Sequence, residues 1–377
     1  MDFSIETGDL QKAIKLLSVT AKMNTKDSTG MVLIKAGSDN IVTFLSNNNS
    51  TALSYMSNKV NVGTPGAVVI EYGKVRSFVS SFPAWNEKAG VKDFYFEQKD
   101  RKLNVSVTNT YESGKVSRGN LNLPTYEAFN IRMPKPLEAP TFVLNSTIFR
   151  SATSKVLYAI DPSNAKPFIQ GMNVNFDEQH IYFVGTNGLT LSEYKVKNIS
   201  DLTEGDFTLR YDFVMGLRRA LGEETQVAFE FDEREVKAAF ENICLWGRTI
   251  IGHDFPNYKP ILKAYDHRIM LDKDVLMSNL LPFSDVLNPE DNYRLTFTFK
   301  DKIMTLSNDS ASFTYDEEID FENEYVIDVN GQYMIQTIDV IKDDKILVNF
   351  SDDKGVLIFD SGNFEDQKAL ITPIRRR

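Results

Sequence analysis

The sequence predicts an α+β fold in which pairs of helices pack on antiparallel sheets. Three observations lead to it: a strand-to-helix unit that occurs six times, alternating strands around that unit, and a 42% hydrophobic content that includes 26 phenylalanines. Two or three such junctions would mean little, but six at steps of roughly 55–75 residues indicate an internal repeat. The units begin near Phe3, Val68, Phe142, Phe207, Ile269 and Tyr325.

Each unit is a short β-type run that ends in a polar residue and passes directly into an amphipathic helix. The first unit reads FSIETGDLQKAIKLLS and the last reads YVIDVNGQYMIQTIDVI. The polar residue is expected to cap the helix, because its side chain can accept hydrogen bonds from the first free backbone N–H groups. The sequence therefore predicts six helices, each entered directly from a strand.

Runs in which apolar and polar residues alternate follow these units. Alternation is typical of strands with one wet face and favours antiparallel sheets, because both faces of a parallel sheet are buried. The runs are 41–44, 93–97, 103–107, 172–176, 180–184, 226–231, 294–299 and 356–359.

The six units pair into three blocks of ordinary domain size, which we predict as domains 1–136, 137–263 and 264–377. Each block is expected to place two helices on antiparallel sheets, with a pseudo-twofold axis inside the block. The first joint contains the proline-rich stretch 133–140, which cannot continue a helix. The second joint, 263–268, is short and polar, so adjacent blocks are expected to abut.

Composition excludes several classes of protein. Cys244 is the single cysteine, so no internal disulfide can form. The N-terminus lacks the basic and apolar regions of a signal peptide, and no apolar run approaches the ~20 residues of a membrane helix. The net charge of −10 argues against general coating of nucleic acid or of an anionic membrane. These features predict a soluble, intracellular protein that does not span a membrane.

Four of the predicted helices are nevertheless basic. A solvated face is the alternative for any single helix, but together they favour one positive surface that binds phosphates without reading bases. The fifth and sixth helices are less basic, because aspartates offset Lys273 and Lys342. The residues of this basic set are Lys12, Lys15, Lys22, Lys74, Arg76, Arg150, Lys155, Arg210, Arg218 and Arg219.

No motif in the sequence predicts catalysis, a metal site or a cofactor. The three histidines are isolated from one another, and Cys244 lies in an apolar context that favours a buried structural thiol. Residues 114–117 lack the upstream glycine of a phosphate-binding loop. The acidic run 316–324 lacks the glycine and the spacing of a calcium loop. The sequence therefore favours a protein that is not an enzyme.

Five local segments resemble motifs of one known family, and they occur in the same order. They are FIQGM at 168–172, GTNGLTL at 185–191, FPNYKPIL at 255–262, NGQY at 330–333 and LITPIR at 370–375. The second to fifth resemble the TDGHRL, FPDYRRVL, NxxY and VVMPMR motifs of bacterial-type DNA sliding clamps, the β subunits of DNA polymerase III. The resemblance extends over the whole chain, including the three-block plan.

This resemblance implies a processivity factor without catalytic activity or cofactor. It implies a head-to-tail homodimer that closes a ring of six similar domains around duplex DNA, with the basic set facing the DNA. The replicative polymerase and the clamp loader would bind through short linear motifs. The protein would act in a bacterial cytoplasm, or in an infected cell if a phage encodes it. Two alternatives remain: a scaffold of this fold that does not encircle DNA, and a β-rich hydrolase with paired carboxylates.

The same resemblance implies a peptide-binding pocket between the second and third domains. Asn330, Tyr333 and the ending 373–375 are its most specific matches, whereas Ile169 and Leu191 have ordinary core packing as an alternative. The implied pocket residues are Ile169, Thr186, Gly188, Leu189, Leu191, Pro256, Pro260, Ile261, Asn330, Tyr333, Thr372, Pro373, Ile374 and Arg375.

Several residues depart from the family pattern and indicate a divergent member. Leu189 stands where the family often has histidine and Pro260 where it often has arginine, so we expect a more apolar pocket. Thr372 replaces a usual methionine, and two further arginines follow Arg375. Pro282 falls within the fifth predicted helix and is expected to kink or shorten it. The strand that would form the opposite side of a dimer interface lies near 117–123.

Overall fold

The computed structural model describes residues 1–23, 25–48, 50–86, 88–126, 137–198, 204–231, 234–250, 254–263, 265–315, 318–353, 355–362 and 366–375. Part of the predicted first joint (133–136), His253, Ala264 of the second joint, the start of the acidic run and the last two arginines lie outside these residues. The described chain contains six α-helices: α1 (Thr7–Leu17), α2 (Tyr72–Ser80), α3 (Ser146–Val156), α4 (Tyr211–Ala220), α5 (Lys273–Leu280) and α6 (Gly331–Val340).

The described strands number 25 and are short. They are β1 (Asp2–Glu6), β2 (Met31–Ala36), β3 (Val42–Asn47), β4 (Thr51–Ser57), β5 (Val60–Thr64), β6 (Gly66–Glu71), β7 (Gly90–Lys99), β8 (Lys102–Thr110), β9 (Val116–Pro124), β10 (Phe142–Asn145), β11 (Gly171–Phe176), β12 (His180–Thr186), β13 (Thr190–Lys197), β14 (Gly205–Arg210), β15 (Gln226–Phe231), β16 (Glu235–Phe240), β17 (Ile243–Ile250), β18 (His267–Asp272), β19 (Arg294–Lys300), β20 (Ile303–Ser307), β21 (Ser312–Tyr315), β22 (Tyr325–Asn330), β23 (Lys345–Phe350), β24 (Leu357–Ser361) and β25 (Gln367–Ile371). All eight alternating runs of the sequence coincide with strands, as predicted, except that Ile41 and Val356 lie one residue before theirs.

The six strand-to-helix units are confirmed, because every α-helix begins at the residue after a strand. The junctions are β1–α1, β6–α2, β10–α3, β14–α4, β18–α5 and β22–α6. The expected capping holds for only part of the set. Asn145, Asp272 and Asn330 accept backbone N–H groups of the following helix. Glu6 and Glu71 make no such hydrogen bond, so α1 and α2 begin without the predicted side-chain cap.

The chain divides into two compact units. Unit 1 comprises 1–147 and 212–249, and unit 2 comprises 148–211 and 250–377. In unit 1 one sheet has the order β5-β1-β7-β8-β9, and a second runs β10-β15-β16-β17-β4-β3-β2-β6. In unit 2 one sheet has the order β18-β23-β24-β25-β13-β12-β11-β14 and another the order β21-β20-β19-β22.

Neighbouring strands within these sheets are antiparallel, for example β7 with β8, β12 with β13 and β19 with β22. The helices lie on the sheets, and α1 contacts α2 while α5 contacts α6. Antiparallel sheets with paired helices confirm the predicted α+β class. The boundaries 1–136, 137–263 and 264–377 stay a prediction.

Helix burial follows from the spacing of apolar residues. In α1, Leu10, Ala13, Ile14 and Leu17 are buried, as expected for one face of a helix with 3.6 residues per turn. In unit 2, helices α5 and α6 contribute Leu276, Leu280, Met334 and Ile338 to a core that includes phenylalanines of β19 and β23. Among the described residues, no helix combines the length and the apolar character that a membrane crossing requires.

Pro282 shortens the fifth helix, as predicted. Helix α5 spans only eight residues and ends at Leu280, and a 3₁₀ turn over Leu281–Asp285 follows it. Proline is well tolerated in the first turn of a helix. Its φ is fixed near the helical value, and the backbone N–H that it lacks would have no hydrogen-bond partner there. Leu281 is 51% exposed as a result of this geometry, whereas Phe283 turns into the core.

Candidate functional site

A tight turn between β12 and β13 presents Leu189 to solvent. The side-chain oxygen of Asn187 accepts hydrogen bonds from the backbone N–H groups of Leu189 at 2.9 Å and Thr190 at 2.8 Å. The N–H of Gly188 donates to Oγ1 of Thr186 at 3.1 Å, and Gly188 adopts a φ of +88°, which disfavours side chains. The turn is therefore rigid, and it holds Leu189 with 53% of its surface exposed.

Thr372 connects this turn to the end of the chain. Its backbone N–H and its Oγ1 both donate to the carbonyl oxygen of Leu189, at 2.9 and 3.0 Å. Thr190 is the first residue of β13, and its Oγ1 donates to the carbonyl oxygen of Leu370 at 2.9 Å. Strands β13 and β25 are paired antiparallel here. The 185–191 and 370–375 motifs thus form one continuous surface.

The residues after Thr372 run beside β22. Pro373 forms an isolated antiparallel bridge with Val329, and the N–H of Ile374 donates to the carbonyl oxygen of Asp328 at 2.7 Å. A cleft of about 500 Å³ opens at this position. It is lined by Val326, Ile327, Asp328, Asp353, Gly355, Pro373, Ile374 and Arg375.

Asn330 is placed by its role as the cap of α6. Its Oδ1 accepts the N–H of Tyr333 at 3.1 Å, and its Nδ2 donates to the carbonyl oxygen of Asn292 at 2.9 Å. Tyr333 packs partly buried against the core of unit 2. The NxxY match is therefore also a structural feature, because the asparagine fixes the first turn on which the tyrosine lies.

The 255–262 motif lies in the same unit and forms a second cleft. Ile261 begins a 3₁₀ turn over Ile261–Lys263 and is 45% exposed, and Pro260 precedes it on the surface. Pro256 lines a cleft of about 780 Å³ together with Phe255, Tyr258 and the side chains of β11. Pro256 and Pro373 thus line different clefts of unit 2.

Three implied pocket residues have buried side chains. Ile169, Thr186 and Leu191 are only 3%, 6% and 4% exposed. Leu191 belongs to an apolar cluster with Tyr258, Leu262 and Leu370, so its direct role is packing. The position of a Cβ on Gly188 would be 3.6 Å from Cδ1 of Ile169, which places this isoleucine beneath the turn.

Reasoning from the sequence missed two residues that organise this region. Tyr258 lies inside the matched 255–262 motif but was not placed in the site, although its hydroxyl donates to buried Glu193 at 2.7 Å. The aromatic residue within the motif was a usable signal. Nothing in the sequence indicated Glu193, because a strand with alternating polarity does not reveal which polar residue is buried.

The basic set is mostly exposed in unit 1. Helices α1 and α2 touch, and α4 approaches the end of α1, where a Cβ on Gly216 would lie 3.1 Å from Val19. Lys12 pairs with Glu241 at 2.9 Å and Lys74 with Glu71 at 2.6 Å, but exposed ion pairs of this kind contribute little free energy. The exposed members are Lys12, Lys15, Lys22, Lys74, Arg76 and Arg219, and Arg218 is half-buried.

Lys155 was predicted as one of the exposed basic residues, but the structure buries it. It is 8% exposed, its ammonium pairs with Asp366 at 3.1 Å and lies 4.0 Å from the centre of the Tyr194 ring. A buried and paired ammonium is not available to an external phosphate. The sequence misassigned it because Lys155 lies next to the apolar face of α3. Arg150 and Arg210 are half-buried within unit 2.

The cysteine and two of the histidines that the sequence singled out lie within the described chain. Burial raises the pKa of Cys244 to about 11, so its thiol stays protonated near neutral pH. His267 contacts Asp352 at 2.7 Å, and His180 lies 3.9 Å from Asp177. Within the described residues, no group of three or more potential ligands is placed to hold a metal ion.

Comparisons with known proteins bear on this geometry. No protein-family model matches the chain. The β sliding clamp of Treponema pallidum is 22% identical over 327 residues, which is 84% of both chains. The β sliding clamp of Buchnera aphidicola is 20% identical over 319 residues, covering 83% of both chains.

The fold comparison covers the full length of the chain. The crystal structure of the DNA polymerase III subunit β from Pseudomonas aeruginosa superposes with a TM-score of 0.87 over 100% of both chains, at 15% sequence identity. Identity this low, at nearly complete structural agreement, fits the divergence expected from the motifs. The chain is therefore similar in sequence to bacterial β sliding clamps, at the low identity expected of a divergent member, and it has the fold of the DNA polymerase III β subunit.

Proposed function

We propose that this protein is a DNA sliding clamp, a processivity factor that encircles duplex DNA and tethers the replicative polymerase. The observation that carries the proposal is the full-length agreement with a DNA polymerase III β subunit at a TM-score of 0.87. The continuous surface made by the 185–191 and 370–375 segments supports it, because both of these segments match family motifs.

The proposed ring is a head-to-tail homodimer of chains with three domains, 1–136, 137–263 and 264–377. Two strand edges support this assembly. Strand β9 ends the sheet β5-β1-β7-β8-β9 of unit 1, and β21 ends the sheet β21-β20-β19-β22 of unit 2. Strands at such edges have backbone groups available to pair with another chain. Val116 on β9 and Leu281 beside α5 are 53% and 51% exposed, which suits burial in an interface.

The basic residues of α1, α2 and α4 are proposed to face the DNA. Their exposed cations would attract the phosphate backbone without selecting a sequence. A closed ring needs only weak contacts, so a few exposed cations on a chain of net charge −10 suffice. The contacts are expected to weaken with salt while the ring stays on circular DNA.

The partner site is proposed to be the surface around Leu189, Thr372, Pro373 and Tyr333. Exposed Leu189 and Ile261 supply apolar contacts, and Arg375 supplies a cation beside the smaller cleft. Such a mixture suits a short linear motif with apolar side chains and an acidic or carboxylate group. The polymerase and the clamp loader would share this site. The protein would act as a non-catalytic subunit in a bacterial cytoplasm, or in an infected cell.

Light scattering tests the assembly directly. The mass of the purified chain should be twice 42.8 kDa at micromolar concentration, and it should rise by up to twice the peptide mass when a peptide copied from the C-terminal tail of the replicative polymerase is added. A strictly monomeric protein would rule out the closed dimer and favour a scaffold of the same fold.

A topological experiment tests encirclement. Protein loaded by its clamp loader on nicked circular DNA should co-elute with the DNA, and linearisation with a restriction enzyme should release it. Retention after linearisation would indicate ordinary binding rather than a ring.

A truncated variant tests the partner site. Replacing Tyr333 with alanine and removing residues 373–377 should abolish binding of the polymerase peptide. The same peptide affinity as the wild type would overturn the assignment of the site, while leaving the fold and the ring untouched.

A further inference from the structure

Tyr258 and Glu193 form a buried hydrogen bond next to the proposed partner site. The hydroxyl of Tyr258 donates to Oε2 of Glu193 at 2.7 Å, and the two residues are 5% and 7% exposed. The side chain of Asn175 lies 3.5 Å from the same hydroxyl oxygen. A hydrogen bond to a buried carboxylate is stronger than one between neutral groups, and losing it leaves the carboxylate unsatisfied.

The backbone of Tyr258 holds the short helical turn that follows it. Its carbonyl oxygen accepts the N–H groups of Ile261 at 3.0 Å and Leu262 at 3.3 Å. These two bonds close the turn that leads into the 3₁₀ helix over Ile261–Lys263, on which Ile261 is exposed. The backbone of Tyr258 is therefore bonded directly to the segment that carries Ile261 and the preceding Pro260.

The ring of Tyr258 packs with an apolar cluster and with the ring of Phe255. It packs in one apolar cluster with Leu191, which follows the Leu189 turn, and with Leu370 of β25. Its ring centre is 6.0 Å from that of Phe255, whose ring contacts Phe168 at 6.3 Å. Tyr258 thus belongs to a cluster that includes residues of the 185–191, 255–262 and 370–375 segments, and Phe255 links its ring to Phe168 of the 168–172 segment.

We propose that Tyr258 and Glu193 are positioning residues of the partner site, and that their buried hydrogen bond holds the Pro256–Ile261 segment in the shape that accepts a peptide. This inference rests on the proposed function, because it concerns the same site. Neither side chain needs to touch the peptide. Their role is to remove alternative positions of the segment before the peptide arrives, which lowers the entropic cost of binding.

Glu193 is suited to this role because its charge has no direct ion pair among the described residues. Burial raises the pKa of Glu193, and the Tyr258 hydroxyl and the charges of Lys259, Lys368 and Lys195 act against that rise. Lys368 is itself paired with Asp360 at 3.2 Å, and the Lys259 ammonium lies 4.1 Å from the Tyr182 ring. The tyrosine hydroxyl is therefore the nearest group that compensates the carboxylate.

The test compares Tyr258→Phe and Glu193→Leu with two controls in the full-length protein. The probe is the polymerase tail peptide, measured by calorimetry, and amide hydrogen exchange of residues 254–263 is measured without peptide. Glu193→Gln is the conservative variant, because its amide oxygen can still accept from Tyr258. Tyr315→Phe is the matched control, since it removes a buried hydroxyl bond to the N–H of Asp272 elsewhere in unit 2.

Tyr258→Phe and Glu193→Leu are expected to weaken peptide binding about 3- to 10-fold and to speed exchange at Ile261 and Leu262. Combining the two substitutions should add little, because both remove the same bond. Glu193→Gln should stay within about 2-fold of the wild type. Tyr315→Phe should lower the melting temperature without changing peptide affinity.

Two results would overturn the proposal, and they differ from failure of the proposed function. The first is wild-type peptide affinity in Tyr258→Phe at unchanged exchange. The second is an equal loss of affinity in Tyr315→Phe, which would make the effect one of general stability. If the wild-type protein bound no peptide, the proposed function would fail, and the exchange rates would still decide whether the pair holds the segment.

Discussion

The carbonyl oxygen of Leu189 accepts two hydrogen bonds from Thr372, one from the backbone N–H at 2.9 Å and one from the hydroxyl at 3.0 Å. This pairing ties an exposed apolar side chain of the β12–β13 turn to the last described residues of the chain. A residue without a hydroxyl at position 372 would keep only the backbone bond. The threonine therefore adds a second hydrogen bond to the proposed partner site, at the point where the sequence departs from the family pattern.

Thr372→Val should lower peptide affinity about 2- to 5-fold, since one neutral hydrogen bond contributes about 0.5–1.5 kcal/mol. The backbone bond to Leu189 should remain, so the loss should be partial. Fluorescence anisotropy with a labelled polymerase peptide measures it. Thr298→Val on β19 is a control of the same chemistry and should bind like the wild type. Equal losses in both variants would contradict a local role for Thr372.

Asn330→Ala should destabilise unit 2 by about 1 kcal/mol and also weaken peptide binding. The reason is that Asn330 caps α6 and fixes the turn that carries Tyr333. Thermal unfolding and peptide calorimetry measure the two effects. Asn145→Ala removes a similar cap, the bond to Thr147 at 2.8 Å at the start of α3. It should cost a comparable amount of stability, and unchanged peptide affinity is the required result for this control.

Charge reversal on the helices should weaken contact with DNA. Lys15 and Arg219 are exposed on α1 and α4, and no ion pair of the described residues involves them. The double variant Lys15→Glu and Arg219→Glu should bind DNA less well at low salt and show a shallower dependence on salt, by about 1–2 units of the logarithmic slope. Lys102→Glu, at the exposed first residue of β8, is the control. A salt slope equal in all three proteins would remove α1 and α4 from the DNA-facing surface.

Glu193 should make stability depend on pH in a defined direction. Burial raises the pKa of Glu193 above 4.5, so the folded state binds this proton more tightly than the unfolded state. Its contribution to the free energy of unfolding therefore falls as pH rises from 4.5 through the raised pKa. Glu193→Gln removes that term. The melting temperature of this variant, relative to the wild type, should rise between pH 4.5 and pH 7, and a constant difference would contradict the assignment.

Much of the architecture could be predicted from the sequence, because local patterns carry it. Alternation of apolar and polar residues identified the strands, and apolar spacing in segments such as Leu10 to Leu17 identified the helices. The six direct strand-to-helix junctions were all correct. Pro282 also acted locally, through its fixed φ and missing N–H, and it ended α5 early as predicted.

The site was predicted less completely, because burial and pairing depend on distant segments. Lys155 lies on a helix that the sequence predicts to be basic and exposed. Its ammonium is instead buried, where it pairs with Asp366 and contacts the Tyr194 ring. In the sequence, Glu193 cannot be distinguished from exposed polar residues of an alternating strand. Only its contact with Tyr258 in the folded chain makes it a buried hydrogen-bond partner. Thr372 donates its hydroxyl hydrogen bond to Leu189, which lies 183 residues away in the sequence.

The sequence by itself determined the α+β class, the positions of the six helices and the motif segments, since these depend on neighbours within a few residues along the chain. Tertiary structure alone decided which of those segments form one surface and which charges remain available. The physical reason is that a hydrogen bond or a desolvated charge depends on what lies within a few ångströms in space, and strand pairing brings together residues that the linear order keeps apart.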